Sequence, residues 1–183
     1  MSQTQSTSTK DELFARFIPL LQEVKDMTTS TEVEQWLNTK YGVESKLYTE
    51  LARLITLGVQ VGWAADTEVA GLRYRRSQVG VPCADTFFFS ITAVLLDSTD
   101  NTQNNPGSSF RAGYHLHPYG EFNLVVPLTE GAALAGPNGW CYGGWTAPAP
   151  GSHHFPEVKG GAVISLTFLP AGRIAFDVKP PQQ

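Results

Sequence analysis

The chain has 183 residues, 42% hydrophobic and 16% charged, a composition that suits one ordinary globular domain with an appendage. A formal charge of −4 leaves no basic footprint for nucleic acid, and the longest apolar runs fall short of a membrane span. The polar N-terminus lacks the basic start and apolar stretch of a signal peptide, and two cysteines make no disulfide framework, so a cytoplasmic protein is expected.

Residues 1–9, rich in Ser, Thr and Gln, read as a disordered tail. From Lys10 onward, Leu13, Phe14, Phe17, Ile18, Leu20, Leu21 and Val24 repeat at helical spacing, with Pro19 as an interruption. Ser30 or Thr31 can cap a second helix that carries Val33, Trp36 and Leu37 inward and stops near Gly42. A third helix is expected over 45–57, ended by Gly58. These three short amphipathic helices form an N-terminal segment over 10–58. Their apolar stripes need a cover, either the following domain or a second copy of the chain. A homodimer is the expectation.

After Gly58 the pattern becomes that of strands. Candidates lie at 59–63, 71–76, 86–96, 115–117, 123–128, 132–134, 140–145, 153–158, 162–169 and 174–178, punctuated by Gly and Pro. With 17 glycines and 12 prolines, this reads as an all-β sandwich or barrel over 59–183, with a polar loop over 97–109. Cys83 and Cys141 read as small apolar residues.

The chemistry concentrates in Gly113-Tyr114-His115-Leu116-His117-Pro118-Tyr119-Gly120-Glu121-Phe122-Asn123. On a strand His115 and His117 face one side. The bend at Pro118-Tyr119-Gly120 brings Glu121 back toward them. Two neutral imidazoles and a carboxylate suit a divalent transition metal, Fe2+, Mn2+, Ni2+ or Zn2+. The chain's other two histidines, His153 and His154, are adjacent in a second Pro/Gly-rich stretch, and a strand turns only one of them inward.

The order His115-x-His117-x3-Glu121 resembles the first signature of the cupin superfamily. The second signature is followed by Gly143, Pro150, Gly151 and His154. It departs at Ala149, where a proline is usual, and at Val158, where an asparagine is usual. The resemblance implies a mainly β fold, a cupin-type jelly-roll β-barrel. It also implies a metal held by His115, His117, Glu121 and His154, with His153 the alternative third imidazole.

The longer order of motifs, from 57–63 through 71–76 to the two histidine stretches, resembles the 4-hydroxylaminobenzoate lyase family. That likeness implies conversion of 4-hydroxylaminobenzoate and water to 3,4-dihydroxybenzoate (protocatechuate) and ammonia, in the degradation of nitroaromatic compounds. Under this reading Glu121 moves protons, and Tyr119 and Arg75 assist. Arg73, Arg75 or Arg76 clamps the substrate carboxylate; Arg73 and Arg75 share one strand face and Arg76 takes the other. Asn123 points into the pocket, and Phe87, Phe89, Phe122 and Trp140 are candidates for an aromatic wall whose default role is core packing. The same four ligands would serve an Fe(II)-dependent cupin dioxygenase acting on a small diketone, thiol or aromatic, and a non-enzymatic binding module is the third possibility.

Overall fold

The structure is a computed structural model and describes residues 3–99 and 109–181. Three helices come first: α1 (Gln3–Val24), α2 (Thr31–Tyr41) and α3 (Lys46–Val61). The helix over Gln3–Val24 corrects the expected disordered tail for residues 3–9. A polar composition does not prevent a helix when the following turns are anchored, and Thr9 is tied down by the Trp63 indole N–H, which donates to its hydroxyl at 3.0 Å. Pro19 sits inside α1 without dividing it. The side chain of Ser30 caps α2 and that of Ser45 caps α3, each accepting from the backbone N–H three residues on.

Gly58 does not end α3. A Cβ there would lie 2.5 Å from the Trp63 ring, so this glycine is required by the return of the chain across the helix. The stop is Gly62, left-handed at φ 86°, whose N–H bonds the Gly58 carbonyl. Residues 59–61, expected as a strand, are the last turn of this helix. Their β-branched valines gave a β signal that the helical packing overrides.

Among the described residues twelve short strands follow: β1 (Thr67–Glu68), β2 (Tyr74–Gly80), β3 (Phe89–Asp97), β4 (Ser109–Arg111), β5 (His115–His117), β6 (Phe122–Pro127), β7 (Ala133–Gly136), β8 (Gly139–Cys141), β9 (Gly144–Thr146), β10 (Ser152–His154), β11 (Glu157–Lys159) and β12 (Ala162–Pro170). A six-stranded antiparallel sheet runs β1-β2-β3-β12-β6-β9. A four-stranded sheet runs β4-β11-β7-β8, and β10 pairs with β5. The expected strand at 174–178 is absent; Ala175 makes a single bridge to Leu116, because Pro180, Pro181 and the turn at 171–172 leave no room for a ladder. Most of the expected loop at 97–109 lies outside the described residues.

The six-stranded sheet has two different faces. Ile91, Ala93, Leu95, Leu124, Ile164, Leu166 and Phe168 join Leu13, Phe17, Leu37, Leu51, Leu54 and Ile55 of the helices in one apolar core. The helices therefore cover the outside of the barrel. On the other face Leu96, Val125 and Val163 meet Ala112, Leu134 and Val158 in a smaller core that plugs part of the interior. Cys83 and Cys141 are free and half-buried. Among the described residues no helix is long and apolar enough to cross a membrane.

Candidate metal centre

Strand pairing fixes which histidines converge. In β5 both His115 and His117 point inward and are buried, at 7% and 0% exposure. Strand β10 runs antiparallel to it, with His154 opposite His115 and His153 opposite Leu116. Directly opposed residues share a face, so His154 joins the inner pair and His153 points out. Outside, His153 bonds the Tyr114 hydroxyl through Nδ1. The register thus separates the two adjacent histidines that sequence left open.

The three Nε2 atoms form a nearly equilateral triangle: 3.0 Å from His115 to His117, 3.1 Å from His117 to His154 and 3.2 Å from His154 to His115. His115 donates its Nδ1–H to the Gly113 carbonyl at 3.0 Å, which leaves its Nε2 lone pair free. Burial disfavours the charged form of all three rings. It lowers the pKa of His117 to about 4, and that of His154 to about 3 with help from the neighbouring histidines. It also lowers His115. Three neutral imidazoles whose lone pairs meet at one point are a donor set for a divalent cation. Ligand bonds of about 2.1 Å are compatible with these separations. The residues present therefore fit a metal ion.

Glu121 stands apart from the nitrogen triangle. Its Oε2 lies 3.5 Å from Nδ1 of His117, and Nδ1 otherwise has no hydrogen-bond partner among the described residues. In this arrangement Glu121 Oε2 lies nearest the far ring nitrogen of His117, not the point where the three Nε2 atoms meet. The reason is the way it is held. Asn123 Nδ2 donates to Glu121 Oε1 at 2.5 Å and to Thr146 Oγ1 at 3.2 Å, while Thr167 Oγ1 donates to Asn123 Oδ1 at 2.8 Å. These partners also fix which way the Asn123 amide points. Burial raises Glu121 to about 7, against the opposing pull of the Asn123 hydrogen bond.

The turn that delivers Glu121 is built by the helical layer. Gly120 has φ 79°, and a Cβ there would collide with Thr29 Oγ1. Thr29 donates to the Pro148 carbonyl at 2.8 Å, and the Glu121 N–H donates to the same oxygen at 3.1 Å. Thr29 carries no signal in the sequence, because its role depends on a contact across 119 residues.

A cavity of about 210 Å³ opens beside the triangle. His115, His154, Glu121 and Asn123 line it, with Tyr74, Arg76 and Gln78 from β2 and Ser90, Thr92, Ser165 and Thr167 from the middle of the sheet. Apolar side chains, among them Val94, Leu96, Leu134, Leu169 and Phe176, complete it. Of the three candidate arginines only Arg76 lines the cavity. Arg73 lies over the Phe110 ring and donates to the Asp97 carbonyl, and neither it nor Arg75 lines the cavity. Because the pleat alternates, Arg76 is the one that faces the cavity. Tyr119 is 55% exposed and also lies outside the lining. Phe89 and Phe122 pack on each other in the core beneath the helices, Phe87 packs against that core, and Trp140 lies under Lys159 on the surface. The expected aromatic wall does not form from these four.

A barrel of short antiparallel strands with inward imidazoles at one end defines a cupin-type protein with a candidate divalent-metal centre. Within that class the chain belongs to the 4-hydroxylaminobenzoate lyase family, whose model matches residues 15–176. It is 53% identical over 176 residues to a 4-hydroxylaminobenzoate lyase of Nocardioides sp. (strain LMS-CY), covering 96% of this chain and 99% of the relative. It is 54% identical over 168 residues to a 4-hydroxylaminobenzoate lyase of Pseudomonas putida, covering 92% and 96%. Among solved structures, a DMSP lyase matches 97% of this chain and 100% of its own at 14% identity, with a TM-score of 0.47.

Proposed function

We propose that the protein converts 4-hydroxylaminobenzoate and water to 3,4-dihydroxybenzoate and ammonia. The observation that carries this reading is identity above one half, over nearly the whole chain, to two lyases named for that substrate. The reaction balances without an oxidant: substrate plus one water contains the atoms of both products.

His115, His117 and His154 would hold the metal ion through Nε2. When bound, it supplies Lewis acidity toward an oxygen of the substrate or of water. Iron, manganese, nickel and zinc all accept this ligand type. Glu121, with a pKa near 7, is suited both to take and to give a proton at neutral pH. Asn123, itself fixed by Thr146 and Thr167, holds the carboxyl in place for that transfer. The apolar wall at Leu96, Leu134 and Leu169 offers the aromatic ring a surface from which water is excluded.

The test is turnover of 4-hydroxylaminobenzoate by the purified protein without oxygen. Equimolar ammonia and 3,4-dihydroxybenzoate are expected. Oxygen uptake coupled to turnover, with none of the anaerobic product, would overturn the reading in favour of oxygenase chemistry.

A further inference from the structure

Among the described residues one Lys or Arg faces the cavity, and it has no acidic partner. Arg76 is the only Lys or Arg in the lining, and among the described residues it joins no salt bridge. Arg76 is exposed, so it stays solvated until an anionic partner arrives.

Strand register locates it relative to the proton-carrying groups. Gln78, Thr92, Thr167, Asn123 and Thr146 lie in one row across β2, β3, β12, β6 and β9. Arg76, Val94, Ser165 and Val125 form the next row, two residues along. That step is about 6.6 Å along a strand. The row with Asn123 serves Glu121, and the adjacent row carries the cation. Tyr74 stands between the two: it lines the cavity on the same strand face as Arg76, and both Arg76 and Glu121 are close enough to bias its ionisation. A para-substituted benzene has its two functional groups at opposite ends of a rigid plane. With its nitrogen end at the imidazoles and Glu121, its other end is directed away from them, across the floor formed by Thr92, Val94 and Ser165.

We propose that Arg76 is the carboxylate-binding residue of this cavity, so that the site takes para-substituted benzoates in preference to their neutral counterparts. This rests on the lyase reading above for its substrate, but not for its ligand class. The planar fork of an arginine matches a carboxylate in two hydrogen bonds. Arg73, held over the Phe110 ring and on the Asp97 carbonyl, and Arg75 do not line the cavity.

The experiment compares the wild type with Arg76→Gln and Arg76→Lys. Substrates are 4-hydroxylaminobenzoate and its neutral carboxamide; 4-aminobenzoate and 4-aminobenzamide serve as unreactive binding probes in calorimetry. Arg76→Gln should raise KM for the benzoate on the order of 30-fold, the usual worth of hydrogen bonds to a charged group, with kcat changed little. KM for the carboxamide should hardly move, and Arg76→Lys should recover part of the loss. An equal rise for acid and amide, or none for the acid, overturns the proposal. If the wild type releases no ammonia from the benzoate, the lyase reading fails. The calorimetry still decides the carboxylate site, because 4-aminobenzoate must bind more weakly to Arg76→Gln while 4-aminobenzamide does not.

Discussion

The two faces of the six-stranded sheet are made by alternate residues of the same strands, and they do opposite work. Along β3, Phe89, Ile91, Ala93 and Leu95 point to the helices, whereas Ser90, Thr92, Val94 and Leu96 point to the cavity. Along β12, Ile164, Leu166 and Phe168 point out, and Ser165 and Thr167 point in. The outer face is apolar, closely packed and shut against water by three helices. The inner face is mixed, and the hydroxyls of Thr146 and Thr167 hold Asn123 and through it Glu121. Stability thus resides on one side of the sheet and chemistry on the other, with a single strand thickness between them. The helices are not mere cover, since Thr29 buttresses the turn that aims Glu121.

This division makes opposite predictions for substitutions a residue apart. The largest expected effect is on the inner face. Glu121→Gln keeps the shape but removes the proton carrier, and kcat should fall about 10²- to 10⁴-fold. Because Glu121 lies outside the nitrogen triangle, the variant should keep its metal, as read by elemental analysis. Loss of the metal instead would place the carboxylate among the ligands. On the outer face, Phe168→Ala removes a ring packed against Phe17 and Trp145, with centroids 5.5 Å and 6.4 Å away. Unfolding free energy should drop by about 3–5 kcal/mol, measured in denaturant. Below the transition, kcat should stay near wild type, and a parallel fall in kcat would erase the distinction between the faces.

The smallest effect is in acid. His117 and His154 have folded-state values of about 4 and about 3 against 6.5 for a free imidazole. Below pH 6.5 the unfolded chain binds more protons at these sites than the folded one. The metal-free protein should therefore lose stability as pH falls from 6.5 toward 4. Glu121, raised from 4.5 to about 7, acts in the opposite sense, one group against two. Melting temperatures of chelated protein across this range check the sign, and a rise on acidification contradicts it.

The faces also differed in how legible they were. Helical spacing around Leu13, Phe17 and Leu54 announced an apolar face, and the His-x-His strand announced its own geometry, because both patterns are local. The cavity was harder to read. Arg76 was visible as one of three clustered arginines, but which of them faces inward depends on where β2 begins and on its pairing with β3. Gly58 looked like a helix stop because its partner, the ring of Trp63, is absent from any local pattern. Thr29, Thr146 and Thr167 were silent for the same reason. Their meaning lies in contacts between distant elements, while the side chains alone are ordinary.

The central claim is that His115, His117 and His154 hold one metal ion, with His153 excluded by register. Metal content of the purified wild type, His154→Ala and His153→Ala tests it most directly. The account predicts about one ion per chain in the wild type and in His153→Ala, and a large loss in His154→Ala. Full occupancy in His154→Ala, or loss confined to His153→Ala, would contradict it.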